Sequence, residues 1–220
     1  MARPRSPRGQ GDRLRDELLD ATEQLLTETG DERAVTIRAV VDRVGVTPPT
    51  LYRHFADKHA LVGEAVARRF AALGTAIATK TAPAIEAGDP AGALHAGCLA
   101  YLDWARNDPG GYALLFTSRR DTFLPGGPSG TEAFEALAEG IAACQQAGLA
   151  HDGDPRELGL LLWAALHGIA TLSTSHAHID WPDTHQIVTD LLSGLTGLPG
   201  PPRPPGHPGT DSPTPRHAGQ

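Results

Sequence analysis

The stretch TIRAVVDRVGVTPPTLYRHF, residues 36–55, decides the fold of the first part of the chain. Thr36 is a favourable helix N-cap, and the apolar residues after it recur at helical spacing until Gly45. Thr47 can cap a second helix whose first turn holds two prolines, at positions where an N–H group has no intrahelical partner. This order predicts a helix-turn-helix, in which Gly45 supplies the left-handed backbone conformation of the turn.

The second of these helices divides its residues between two faces. Leu51 and Phe55 are four positions apart and are predicted to point inward, where they hold the helix to its neighbours. The polar and aromatic residues between and beside them remain on the outer side, namely Thr50, Tyr52, Arg53 and His54, and Lys58 follows shortly after. The stretch therefore combines an anchoring face with a face that can contact a partner.

The rest of the chain also has helical periodicity, which predicts an all-α fold. Asp-Pro pairs, with Asp at the cap and Pro in the first turn, mark several helix starts. The predicted helices span 13–30, 37–44, 48–55, 58–80, 89–107, 109–118, 131–148, 155–177 and 183–196. Residues 199–220 contain eight prolines without apolar periodicity, which predicts a disordered tail.

Charge is distributed unevenly along the 220 residues, whose formal net charge is −7. Residues 1–60 hold ten Lys or Arg and ten Asp or Glu, whereas residues 61–220 hold nine against sixteen. Cations gathered on one face can bind a polyanion even in an acidic protein. Five of them, at positions 3, 5, 8, 13 and 15, form either a solubilising tail or a basic arm that reaches DNA, and the sequence leaves both interpretations open.

The stretch from residue 36 to 62 resembles the DNA-binding domain of TetR-type one-component transcriptional regulators, and the resemblance extends over about residues 13–65. It implies that Tyr52, His54 and Lys58 hold phosphates, with Thr36 and Arg38 as further phosphate contacts. It also implies that Thr47, Pro49, Thr50 and Arg53 face base edges. Arg53 is the best candidate for reading guanine, because its planar fork matches two major-groove acceptors.

The segments DPAGALHAGCLAYLDWARNDPGGYALLF, residues 89–116, and LLWAALHGIATL, residues 161–172, resemble a TetR subgroup with a Trp-x-x-x-His-Gly motif, here Trp163, His167 and Gly168. The resemblance implies a regulatory helical bundle that forms a homodimer through its last two helices. Sparse large side chains in this part are candidates to line an effector pocket. They are Tyr101, Trp104, Phe116, Phe134, Trp163 and His167.

The sequence thus predicts a helix-turn-helix domain at 1–56 with a flexible basic arm at 1–10. A connecting helix follows at 57–79, then a ligand-binding and dimerisation domain at 80–198 and the tail at 199–220. The function that this organisation favours is a cytoplasmic repressor that a small-molecule effector releases from double-stranded operator DNA. The mechanism implied is a two-state shift in the spacing of the two recognition helices.

Other classes of function have weaker support in the sequence. His176, His178, Asp180, Asp183 and His185 could bind a metal, which would make the protein a metal-responsive regulator, but their spacing matches no closed zinc site. No catalytic motif is present, so we predict neither an enzyme nor a cofactor. No apolar run of about 18 residues and no secretory signal are found, so we predict no contact with membranes.

Overall fold

The computed structural model describes residues 10–117, 130–176 and 178–199, and these residues form α helices without any β strand. The predicted basic arm, apart from its last residue, and the predicted tail, apart from Pro199, lie outside the described residues. The helices are α1 (Gln10–Thr29), α2 (Ile37–Val44), α3 (Pro48–Leu51), α4 (Lys58–Glu86), α5 (Pro90–Asn107), α6 (Pro109–Thr117), α7 (Gly130–Gln146), α8 (Pro155–Ser175) and α9 (Thr184–Thr196).

Asp side chains begin five of the described helices, and those at Asp89, Asp108 and Asp154 belong to the Asp-Pro pairs that the sequence predicts. Asp57 accepts a hydrogen bond from the backbone N–H of Ala60 at 2.8 Å, and Asp89 does the same for Gly92 at 2.8 Å. Asp154 and Asp183 cap α8 and α9 in the same way. Each cap satisfies an N–H group that the first turn of a helix leaves without a partner.

The first three helices and the start of α4 share a small apolar core. Leu18 of α1, Val40 of α2 and Leu51 of α3 are fully buried, and Phe55 and Leu61 close the core from the following segment. Leu51 and Phe55 therefore point inward, as predicted. Helix α3 ends at Leu51, so residues 52–55 form turns rather than the continuous helix expected over 48–55.

Helix α4 joins this domain to the remaining bundle. It continues to Glu86, beyond the end predicted at 79–80 and past Pro83 in its last turns. Helix α5 is central to the bundle, because it packs against α4, α6, α7, α8 and α9. The effector candidates are thereby placed on α5 itself and on α6, α7 and α8, which pack against it.

Helix α8 is the one described helix that is long and apolar enough to cross a membrane by length and composition. In this fold it packs against α5, α7 and α9. Its outer side nevertheless exposes apolar groups, with Leu161 55% and Leu172 48% exposed. An apolar surface of this kind on a helix commonly marks contact with another molecule.

Candidate nucleic-acid interface and effector cavity

The turn between α2 and α3 has the geometry that the sequence predicts. Gly45 adopts φ +76° and ψ 36°, in the left-handed region that side chains disfavour. The N–H groups of Gly45 and Val46 both donate to the carbonyl of Val41, at 2.9 and 3.0 Å. This closes the end of α2 and aims α3 away from it, which is how a helix-turn-helix presents its second helix.

Three residues predicted to face base edges are linked in one hydrogen-bonded chain. The hydroxyls of Thr47 and Thr50 lie 3.1 Å apart, and Arg53 Nη2 donates to Thr50 Oγ1 at 3.3 Å. No carboxylate pairs with Arg53 among the residues that the structure describes. Its guanidinium is exposed and keeps further N–H groups for a partner.

The prediction that the Thr47 side chain caps α3 is wrong. Thr47 occupies the N-cap position, but its hydroxyl makes no capping hydrogen bond. The cause is local, since Pro48 and Pro49 have no N–H to donate and the N–H of Thr50 donates to the backbone carbonyl of Thr47 at 2.9 Å. The hydroxyl meets Thr50 instead, which leaves both side chains on the outer surface near the exposed ring of Pro49.

The predicted phosphate contacts occupy several positions around this surface. Thr36 Oγ1 accepts from Ala39 N at 3.1 Å and caps α2, so its hydroxyl proton remains available to an acceptor. Arg38 is exposed and lies 3.7 Å from Asp42. Tyr52 is 52% exposed, and His54 is half-buried.

Lys58 is placed differently from the outward orientation predicted for it. The side chain is half-buried, and its Nζ donates to the backbone carbonyl of Glu32 at 2.7 Å. The turn before α2 approaches the start of α4 only in the folded domain, so local sequence could not indicate this bond. An ammonium group has three donors, and two remain for a phosphate.

Two of the N-terminal arginines belong to α1 rather than to an arm. Arg13 pairs with Glu17 one helical turn on, at 3.1 Å. Arg15 pairs with Glu64 of α4, and its guanidinium lies 5.1 Å from the centre of the Phe55 ring. These two side chains therefore stabilise the folded domain, and the question of a DNA-binding arm is confined to positions 3, 5 and 8.

An open cavity of about 1310 Å³ lies among α4, α5, α7 and α8, with Phe116 of α6 at its wall. Four of the six predicted effector contacts line it, namely Tyr101, Phe116, Phe134 and Trp163. Trp104 and His167 are not among the lining residues. Trp104 is half-buried against the core, and His167 lies behind the wall.

Other residues of this wall, and one behind it, were not predicted from the sequence. Phe70 and Cys98 line the cavity, and burial raises the pKa of the Cys98 thiol to about 12, so the thiol stays protonated. Tyr112 was also missed, although it lies four positions before Phe116 and hence on the same side of α6. That spacing was the available signal.

A buried polar cluster stands behind the cavity wall. The hydroxyls of Tyr101 and Tyr112 are 2.9 Å apart, and the Tyr112 hydroxyl is 2.6 Å from His167 Nδ1. The indole N–H of Trp163 also bonds to the Tyr101 hydroxyl, and burial raises the pKa values of both tyrosines. The ring of Phe116 lies 4.2 Å from that of His167.

One neutral tautomer of His167, with its proton on Nε2, satisfies every hydrogen bond in this cluster. Nδ1 then accepts from Tyr112, Tyr112 accepts from Tyr101, and Tyr101 accepts from Trp163, which can only donate. Burial lowers the pKa of His167, which agrees with a neutral ring.

Acid should therefore destabilise the fold partly through His167. Below about pH 6.5, the unfolded chain binds a proton at His167 more readily than the folded chain, so the free energy of unfolding falls as pH falls. We expect His167→Gln to flatten this decline between about pH 7.5 and 5.5, measured by urea unfolding. Part of the decline should remain in the variant, because burial and the nearby His185 also lower the pKa of His95. A variant curve parallel to that of the wild type would contradict the neutral, buried assignment.

An ion network connects the helix-turn-helix domain to the bundle. Glu23 of α1 is 8% exposed, and its carboxylate lies 2.6 Å from Arg68 Nε and 2.7 Å from Arg69 Nε. The Arg69 contact is an ion pair without hydrogen-bond geometry. Arg69 Nη1 also lies 2.5 Å from Asp108, which caps α6 by accepting from Gly111 N at 2.9 Å. A shift of α6 would therefore change the contact that Arg69 makes with Glu23 of α1.

The alternative of a metal-responsive regulator gains no support from the geometry. His176 and His178 approach each other, with ring centres 5.8 Å apart. Among the described residues, no group of three or more His, Cys, Asp or Glu side chains is arranged to hold a metal ion.

Comparisons with known proteins agree with the two-domain arrangement. A family profile described as bacterial regulatory proteins of the tetR family matches residues 18–65, and one described as a tetracyclin repressor-like C-terminal domain matches residues 94–195. No functionally curated protein matches the sequence.

Solved structures share the fold at low sequence identity. A TetR family transcription regulator from Marinobacter aquaeolei VT8 is 13% identical, with a TM-score of 0.68 over 86% of this chain and 98% of its own. A putative tetR family regulator from Shewanella sp. PV-4 is 17% identical, with a TM-score of 0.66 over 84% and 96%. The flavonoid-responsive regulator FrrA is 20% identical, with a TM-score of 0.62 over 84% and 95%. With both family profiles in chain order on this fold, the chain is a member of the TetR family of transcriptional regulators.

Proposed function

We propose that this protein is a cytoplasmic, ligand-responsive repressor that binds operator DNA as a homodimer. The observation that carries the proposal is the hydrogen-bonded chain of Thr47, Thr50 and Arg53 at the start, inside and just after the second helix of the helix-turn-helix. Arg53 reads a base edge, with Thr47, Pro49 and Thr50 beside it. Thr36, Arg38, Tyr52, His54 and Lys58 hold phosphates and fix the register of the domain.

Residues 1–56 form the DNA-binding part, and the bundle from residue 80 to 198 binds the effector in the cavity. The size and apolar walls of that cavity support this assignment. The structurally similar FrrA is named as flavonoid-responsive, which supports a response to small molecules on this fold. The effector shifts the dimer away from DNA by no more than its differential affinity for the two states.

Selection of bound duplexes from random DNA tests the proposal and should return a roughly palindromic site. We expect Arg53→Ala to cost about 1–3 kcal/mol of operator binding and to relax base preference at one position in each half-site. Fluorescence anisotropy on the selected site and its single-base variants measures both effects. The guanidinium has no ion-pair partner in the described part of the chain, so the substitution leaves no carboxylate unpaired.

Lys58→Gln is the matched control for Arg53→Ala. It should lower the affinity for all DNA sequences about equally. It should also reduce the slope of log affinity against log salt concentration by the amount expected for roughly one phosphate contact. Because Lys58 also donates to the carbonyl of Glu32, the melting temperature of the Lys58→Gln variant is measured together with its DNA affinity. Identical base preferences in the two variants would refute the division between base reading and positioning. Failure of the wild type to bind any duplex would refute the proposed function.

A further inference from the structure

The cavity wall is largely apolar, and the charge it does carry has one dominant sign. Among the described residues that line it, ionisable carboxylates outnumber cations by four to one. The carboxylates are Asp89 of the α4–α5 turn, Glu132 and Glu139 of α7, and Glu157 of α8, and the cation is Arg156.

The single cation is already matched by a neighbouring carboxylate. Arg156 Nη1 lies 2.5 Å from Glu135 Oε2, and its guanidinium lies 5.5 Å from the centre of the Phe134 ring. By contrast, none of the four lining carboxylates has a basic partner within the described ranges. Asp89 gives one oxygen to the N–H of Gly92 at 2.8 Å and retains the other.

The physical consequence is a selection by charge. Apolar walls bury the body of a hydrophobic ligand whatever its charge. A carboxylate on such a ligand would meet repulsion from four like charges and would find no unpaired cation among the described lining residues. A positive group would be attracted by the carboxylates, which are exposed residues lining one open cavity, so each attraction is modest and the preference comes from their number.

We propose that the effector is a lipophilic cation, whose apolar body lies against Phe70, Tyr101 and Trp163 and whose positive group faces the carboxylates of α7 and α8. This inference deepens the proposed function, since the cation is the signal that releases the protein from DNA. Binding itself is measured without DNA, so the two claims can fail separately.

Tetraphenylphosphonium and tetraphenylborate test the inference, because they have the same shape and opposite charge. Isothermal titration calorimetry on the full chain should show the cation binding at least about tenfold more tightly than the anion. Raising the salt concentration should weaken cation binding. Equal affinities, tighter binding of the anion or no binding of the cation would overturn the inference.

Charge variants locate the effect at the cavity. The triple variant Glu132→Gln, Glu139→Gln, Glu157→Gln should reduce the ratio of the two affinities by about tenfold, since exposed pairs contribute modestly one by one. The matched control Asp12→Asn, Asp16→Asn, Asp42→Asn makes the same change in net charge at exposed positions of α1 and α2, and it should keep the ratio. Equal changes in the two variants would mean that net charge, and not the cavity, attracts the cation.

A blocking variant shows that the cation enters the cavity rather than coating the surface. A Cβ at Gly140 would lie 3.4 Å from Leu94 Cδ1, and both residues line the cavity, so Gly140→Phe places a ring in that space. With folding verified by circular dichroism, the variant should lose at least about tenfold in cation affinity; unchanged affinity would overturn the inference. The cation could also bind the wild-type protein tightly and leave the protein's affinity for the selected operator unchanged. That result would refute release from DNA by the ligand, and it would leave the binding site in the cavity supported.

Discussion

Replacing Leu161 and Leu172 together with Glu is expected to convert a homodimer into a monomer and to lower operator affinity by about 10²–10⁴-fold. The two leucines are 55% and 48% exposed on the outer side of α8. Ala164 and Gly168 lie on the same stripe, and a Cβ at Gly168 would meet no heavy atom within 4 Å. A partner helix can therefore approach this stripe closely, and Glu side chains there would be buried without a cation.

The substitutions should spare the fold of the single chain. Both side chains face solvent in the isolated chain, where a Glu is well tolerated. Leu191 and Leu195 of α9 are half-buried against the core, so Glu at those positions would confuse loss of the dimer with loss of stability. Leu149→Glu is the matched control, because Leu149 is 37% exposed and lies outside α8 and α9.

Sedimentation velocity measures the oligomeric state, and anisotropy on the selected operator measures the affinity. Loss of the dimer without loss of affinity would show that one half-site suffices for binding. A dimer that survives both Glu substitutions would place the interface on another surface. A wild-type monomer at micromolar concentration would refute the proposed architecture.

The local features of the fold could be predicted from the sequence because their causes are local. The Asp-Pro pairs, the left-handed Gly45 and the inward Leu51 and Phe55 depend on neighbours within a few positions. The same reasoning failed at Thr47 because the two prolines after it have no N–H, and the N–H of Thr50 donates to the Thr47 carbonyl rather than to its hydroxyl.

Features that depend on contacts distant in sequence could not be predicted. Lys58 bonds to a carbonyl 26 positions away, and Arg15 packs over the ring of Phe55. The aromatic residues of the bundle gave no indication of which ones face the cavity. The structure places Trp163 on its wall and excludes Trp104, because that choice depends on how five helices pack around α5.

We expect Glu23→Gln to lower the free energy of unfolding by about 2–3 kcal/mol, measured by urea denaturation. Glu23 is almost fully buried, and its carboxylate stands between Arg68 and Arg69. The amide would leave two neighbouring guanidiniums without the charge that holds them together. The value lies below the usual cost of breaking a buried pair because both arginines retain access to water.

Glu28→Gln is the matched control, since Glu28 accepts from Arg43 at 2.9 and 2.8 Å on the surface of the same helix. Water screens that pair, so its loss should change stability only slightly. Equal changes in the free energy of unfolding for the two substitutions would show that burial does not make the Glu23 pair contribute more than an exposed pair.

A double-mutant cycle with Glu23→Gln and Arg69→Gln separates the interaction from general damage to the core. Since Arg69 also pairs with Asp108 at the start of α6, its contact with Glu23 joins α1 to the helix that carries Phe116 of the cavity wall. The cycle should give a coupling energy of at least about 1 kcal/mol. If that coupling carries the response, both single variants should also reduce the loss of operator affinity that tetraphenylphosphonium causes in the wild type. A cycle with additive effects, or an undiminished response in both variants, would show that the signal leaves the cavity by another route.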